Sequence, residues 1–312
     1  MNLMPLRTWV VLFLLGPLLI AGSGLSELRA QSLPQVQERE RIFGFAEALF
    51  AEGDYFRAIT EYKRFIFLFP VDAGAEKAFF RIAESYFKAG RWAESADAFQ
   101  AFLDRYPGTL MRDEAIYLKG ISEKNQKKHK EALSSFELLA RSADPLYRDR
   151  AAYQQALVLM EREDWKGAIA SFSRIPPDSK LHRSSNIMAE GLARIDDIPR
   201  KDPKTAGILA ALLPGSGHLY TERPRDALVA FLLNGAFIWA AVELYDRGDY
   251  VTGGIVTFFE LGWYGGSIYS AVNSAHKYNE RSKTEFLQKL IQAGGVAKVP
   301  VNGPMVVYRF RF

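Results

Sequence analysis

Four stretches decide the fold: GDYFRAITEYKRFIFLFP (53–70), GRWAESADAFQAFLDRYP (90–107), KKHKEALSSFELLARSADP (127–145) and EDWKGAIASFSRIPP (163–177). Aligned, they place a small residue at Ala58, Ser95, Ala132 and Ala168, with spacings of 37, 37 and 36. An aromatic follows four residues later in each, at Tyr62, Phe99, Phe136 and Phe172. A spacing of four puts both on one helix face. Bulky rings at Tyr55, Trp92, His129 and Trp165 keep the same register, and Pro70, Pro107 and Pro145 close the first three stretches. One helical pair cannot bury its apolar face alone, so units of this period stack and share a continuous core.

Working backward from each stretch, a second helix carries a small residue near its middle, at Ala46, Ala83, Gly120 and Ala156. The pattern of small residue, small residue, aromatic and closing proline resembles the tetratricopeptide repeat family. The period of 36 to 37 and the FLFP and DRYP endings look like the periplasmic members that serve envelope assembly and cell division. Lys127 stands where a glycine is usual in that family. The resemblance implies an all-α helical-hairpin solenoid of about four repeats, with residues 186–195 as a polar-faced cap. It also implies a concave surface, built by the first helix of each pair, that takes protein partners. Phe43, Phe80, Tyr117 and Tyr153 form one column there, and Phe50, Phe87, Lys124 and Met160 a second. Glu47, Glu84, Ile121 and Leu157 lie between them. The expected groove is therefore Phe43, Glu47, Phe50, Phe80, Glu84, Phe87, Tyr117 and Tyr153, holding an extended or helical apolar segment. The competing reading is that rings at helical spacing are core.

The 312 residues suggest two domains. The chain has no cysteine, which excludes disulfides, thiolate metal sites, cysteine nucleophiles and a lipid-modified cysteine. Its four histidines are dispersed, so no paired-histidine metal helix exists. GSG at 215–217 lacks the following G-K-[ST] of a phosphate loop. With no catalytic constellation, no cofactor and no metal, the chain reads as non-enzymatic. Of 40 Lys+Arg and 36 Asp+Glu, residues 31–198 hold 25 and 26, and residues 199–312 hold 13 and 9. The basic excess therefore falls in the apolar C-terminal third. That arrangement argues against nucleic acid and for membrane flanks.

Residues 1–30 show a basic start, the apolar run Trp9–Ala21 and small residues after it, the pattern of an export signal or anchor. After the solenoid (31–198), residues 199–283 hold three apolar stretches, 205–220, 227–245 and 250–272. The last two are long enough to span a bilayer. ALLPGSGHLY within the first resembles a bacterial membrane domain of unknown function written ALLPGxGQxYxG. Pro214, Gly215, Gly217 and Tyr220 match its motif, and His218 replaces the usual glutamine. Arg223, Arg225, Lys277, Arg281 and Lys283 flank the stretches, whereas 246–249 (Asp-Arg-Gly-Asp) is near neutral. The positive-inside rule then favours three crossings, with a re-entrant loop at 214–217 as the alternative. Gly262, Gly266 and Ser270 form a small-residue face for helix packing. Asn234 and Glu260 sit at similar depth in the hairpin, as an interhelical bond or as a site. Residues 284–312 read as a helix and an extended tail, with strand-like alternation over 306–312.

Together these features predict a scaffold in the bacterial inner membrane with periplasmic repeats, contacting protein partners and lipid. The alternatives are association with the outer membrane, and an accessory of a transport or insertion machine whose membrane domain is the active part.

Overall fold

A computed structural model describes residues 37–295. The export segment and the alternating tail lie outside the described residues. Every regular element among the described residues is helical. Two compact units form, one from residues 37–164 with 174–179, the other from 165–173 with 180–295.

The first unit is a succession of antiparallel helices. They are α1 (37–52), α2 (Tyr55–Leu68), α3 (Ala73–Lys88), α4 (Trp92–Arg105), α5 (Arg112–Asn125), α6 (His129–Leu139) and α7 (Pro145–Glu161). Each helix packs on the next in sequence, as a tetratricopeptide solenoid requires. Local chemistry sets the boundaries. Asp54, Asp72 and Asp144 each accept a backbone N–H from the first turn of the helix that follows. Pro145 occupies the first turn of α7, where its missing N–H costs nothing. At Gly120 a Cβ would stand 2.6 Å from the Phe136 ring, so α5 and α6 touch there without room for a methyl group.

The second unit holds α8 (Trp165–Ser173), α9 (His182–Leu192), a short 3₁₀ turn (Ile195–Asp197), α10 (Pro203–Leu212), α11 (Ser216–Tyr220), α12 (Pro224–Asp246) and α13 (Tyr250–Gly294). The 186–195 segment, expected to be a polar-faced cap, instead packs on α8 and on the C-terminal part of α13. Gly191 sits so close to Leu290 that a Cβ would overlap its methyl group. Met188 and Leu192 are fully buried.

The stretch 205–220, expected to cross as the first of three spans, is not one continuous helix. α10 stops at Leu213, whose backbone is extended, and Gly215 turns the chain at φ +88°. α11 then folds back on α10, with Gly217 against Ala206 and Ala210. The return is complete by Tyr220, whose hydroxyl accepts the Asp202 N–H at 3.0 Å. The carbonyls freed by the break are met by side chains. Ser216 Oγ donates to Leu209 and Leu213, and Tyr264 Oη donates to Ala211. Pro214, Gly215, Gly217 and Tyr220 are therefore the turn and return of a short helical hairpin.

Candidate functional site

In the repeat unit, four of the expected groove rings, Phe80, Phe87, Tyr117 and Tyr153, are buried. Phe80 meets Phe99 and Phe102 edge-on at 5.5 Å each, and Tyr117 meets Phe136 at 6.3 Å. Phe43 meets Tyr62 and Phe65 in the equivalent place, at 5.8 and 5.1 Å. Phe50 and Phe87 rest on Tyr55 and Trp92. The repeating columns are thus the seam between the two helices of each pair. A ring on the first helix points into the second because the small residue there leaves space for it.

A polar seam faces outward in their place. Glu47 is its centre, accepting from Tyr62 Oη at 2.6 Å, Arg81 Nε at 2.9 Å and Lys77 Nζ at 3.2 Å. Arg81 also reaches Glu84 at 2.6 Å. Burial alone would raise the Glu47 pKa, but the donors from Tyr62, Arg81 and Lys77 outweigh it and hold the carboxyl below its ordinary value. Lys77 and Arg81 lie over the Phe43 and Phe50 rings, at 5.1 and 4.7 Å to the centroids, closing the half-buried pair. Further along, burial and then the Glu84 charge push Glu114 up. Sequence reasoning picked Glu47 and Glu84 but missed their partners Lys77, Arg81 and Glu114. The signal was present as charges three to four residues apart on successive first helices.

Lys124 occupies the second column where Phe50, Phe87 and Met160 stand. It is buried, and its Nζ donates to Gln154 Oε1 at 2.5 Å. Gln154 Nε2 continues to Tyr117 Oη at 3.4 Å. Burial pulls Lys124 down to about 8, partly opposed by Glu161, and pushes Tyr117 up to about 12.

In the second unit, α12 and α13 form the apolar hairpin. Among the described residues, Pro224–Asp246 is the helix long and apolar enough to cross a membrane. Asn234 and Glu260 are both buried, but they do not bond each other. Asn234 Nδ2 donates to Ala230 of its own helix at 2.5 Å. Its Oδ1 and both Glu260 oxygens have no hydrogen-bond partner among the described residues. At the opposite end, Asn279 clamps the Lys201 backbone with two bonds, and Lys201 Nζ pairs with Glu222 at 3.2 Å. Arg223 donates to Ser274 Oγ at 2.9 Å and pairs with Asp226 at 2.5 Å. Residues 201, 220–226 and 274–279 therefore share one end of this unit.

A cavity of about 910 Å³ opens between α12 and α13. Leu233, Phe258 and Trp263 wall it, and Gly262, Gly266 and Ser270 line it along α13. A Cβ at Gly262 or Gly266 would meet nothing within 4 Å. Of the small-residue face expected to hold another helix, Gly262 and Gly266 border open space within this chain, whereas Ser270 meets His218. No group of three or more metal-ligating side chains occurs among the described residues.

Consecutive packed helical hairpins at a 36–37-residue period define a tetratricopeptide-type repeat protein. Residues 36–175 match the family model YfiO, an outer membrane lipoprotein. A tetratricopeptide repeat protein from Parabacteroides merdae ATCC 43184 is similar in structure, at 14% identity and TM-score 0.44, covering 82% of this chain and 99% of that one. Comparison with curated proteins finds no match.

Proposed function

We propose that the chain is a non-enzymatic scaffold, anchored in the inner membrane by the α12–α13 hairpin, whose periplasmic repeats capture a protein partner during envelope assembly. The distribution of exposed apolar side chains carries this reading. Of 29 exposed large hydrophobic residues among the described residues, 21 fall between Ile208 and Tyr269. A belt of that size matches a hydrocarbon surround and would be insoluble in water. At 23 residues, α12 is about 35 Å long, enough for a core of roughly 30 Å. α10 and α11 enter and leave on the same side, so the hairpin makes two crossings. The match of 36–175 to an envelope lipoprotein family supports the placement of the repeats.

Two crossings put Arg223, Arg225, Lys277, Arg281 and Lys283 on the side from which the chain enters at Arg200. The positive-inside rule pulls that side toward the cytoplasm, whereas the export signal pulls it outward. Single cysteines at Lys128, Arg225, Asp249 and Lys283, labelled from outside spheroplasts, decide between them. Label at 128, 225 and 283 supports export. Label at 249 alone places the repeats in the cytoplasm and sinks the periplasmic reading.

The partner surface follows the polar seam. Lys77→Glu should weaken capture of the partner while leaving the melting temperature within a few degrees. Unchanged capture would reject the seam.

One observation favours a second reading, in which the membrane unit is the active part of a transport or insertion machine. Glu260 is a buried carboxyl without a partner among the described residues, a costly arrangement inside a bilayer. Glu260→Gln would then abolish function at normal protein level. A normal phenotype removes this reading.

A further inference from the structure

The cavity between α12 and α13 has a depth, a polar end and an open floor. Its lining runs from Asp226 to Leu233 on α12 and from Ser270 to Phe258 on α13. Twelve residues of helix correspond to about 18 Å. That is close to one leaflet, about 15 Å of hydrocarbon. A partner helix would need a groove through the whole thickness. A lipid with its head at the surface needs half.

The polar end supplies a place for that head. His218 is buried, and its Nε2 lies 3.0 Å from Ser270 Oγ. Its Nδ1 is buried and has no partner among the described residues. Ser267 Oγ, also lining the cavity, is likewise buried without a partner. Buried polar atoms left unpaired are costly, so a ligand that bonds them relieves that cost. Arg223 and Asp226 stand at the same end as a partly exposed ion pair that a head with both charges can bridge. A purely anionic head would meet the Asp226 carboxylate. A head carrying both phosphate and ammonium meets complementary partners.

We propose that this cavity is a binding site for one zwitterionic, amine-bearing phospholipid. The phosphate lies by His218 and Arg223, the ammonium by Asp226, and an acyl chain runs along Gly266 and Gly262 between Leu233 and Phe258. The volume falls within the roughly 300–1,000 Å³ usual for small-molecule sites. The proposal rests on the membrane reading of α12 and α13.

The test is native mass spectrometry of the full chain in detergent. The probes are palmitoyl-oleoyl phosphatidylethanolamine and the phosphatidylglycerol with the same chains, at equal concentration. The wild type should retain a single phosphatidylethanolamine in preference to phosphatidylglycerol. Gly266→Leu should lower retention by about tenfold, the loss expected when an apolar subsite is filled. The new side chain enters open space on a helix, so the variant folds. Asp226→Asn should equalise the two lipids without abolishing retention. Equal retention by Gly266→Leu, preference of the wild type for phosphatidylglycerol, or a chain dimer that excludes lipid would each overturn the site. Carbonate extraction of membranes separates the two levels. A chain released by carbonate sinks the membrane reading. A resistant chain whose lipid ignores Gly266→Leu sinks only the site.

Discussion

In the repeat unit Tyr62, Phe65, Phe99, Phe102 and Phe136 are fully buried, and the surface carries Lys77, Arg81 and their carboxylates. In the α12–α13 hairpin Trp239 is 69% exposed and Phe258 73%, while Ala, Gly, Asn234 and Glu260 fill the interface. The two regions sort the same side-chain types in opposite directions. On the membrane reading proposed above, each suits its own solvent, because burial removes apolar groups from water but gains nothing over hydrocarbon. Helices of the first region are held by large rings. Those of the second approach closely through small residues.

The sharpest test of that contrast compares glycines within the second region. At Gly217 a Cβ would stand 2.2 Å from the Ala206 carbonyl and 2.8 Å from Ala271. Gly217→Val therefore forces backbone apart, a change beyond about 5 kcal/mol. The chain should fail to accumulate in the membrane fraction. Gly262→Val, on a helix face with open space, should accumulate normally. Equal behaviour of the two would mean that α11 does not pack back on α10.

Ring deletions come next, and the regions should answer oppositely. Phe99→Ala empties a fully buried site and should cost about 3–5 kcal/mol in denaturation of the full chain in detergent. Trp239→Ala removes a larger but exposed ring and should stay within ~0.5 kcal/mol. A large loss at Trp239 would show that another surface covers it.

Lys124 breaks the rule of its own region, and its removal measures how strongly that rule holds. Its folded pKa, about 8, lies below the value of 10.5 for a free lysine. The unfolded chain then binds more protons between these values, so stability rises as pH increases from 8 to 10.5 and is lowest below 8. Lys124→Met should abolish that rise. It should also stabilise the chain near neutrality by about 1–2 kcal/mol, because the loss of the Gln154 bond offsets part of the relief. A wild-type stability flat across that pH range would reject the assignment.

Much of the first region was legible in the sequence. Small residue and aromatic at a spacing of four, repeated at 36–37, fix which helices pair and where they touch. What the pattern did not reveal was which side of the first helix the rings face. Phe80 and Tyr117 look the same in a linear string whether they line a groove or point into the neighbouring helix. The second region was less legible. Its apolar stretches mark the long helices α12 and α13, but the reversal within 205–220 depends on the extended Leu213 and the positive φ of Gly215. A hydropathy pattern carries no such information. Asn234 and Glu260 are both buried, yet they do not bond each other: Asn234 Nδ2 donates to Ala230 of its own helix, and its Oδ1 and the Glu260 oxygens are left without a partner among the described residues.

The smallest effect returns to the loops that open each aligned stretch. Gly53, Gly90, Lys127 and Glu163 all adopt positive φ, at 84°, 70°, 62° and 58°. They stand at the same place in the repeat register, so the turn demands a left-handed residue each time. Glycine meets the demand freely, whereas a side chain there costs about 1–2 kcal/mol. Lys127 also forms an exposed ion pair with Glu161 at 2.9 Å, of the kind worth about 0–1 kcal/mol. Glycine adds freedom to the unfolded chain, which takes back roughly 0.4–1 kcal/mol. The balance leaves Lys127→Gly stabilising by a few tenths of a kcal/mol. At Gly90 the reverse change, Gly90→Lys, should destabilise, since it introduces the strain and gains no partner of its own. If both changes moved stability in the same direction, the shared left-handed turn would not be what the repeats have in common at this position.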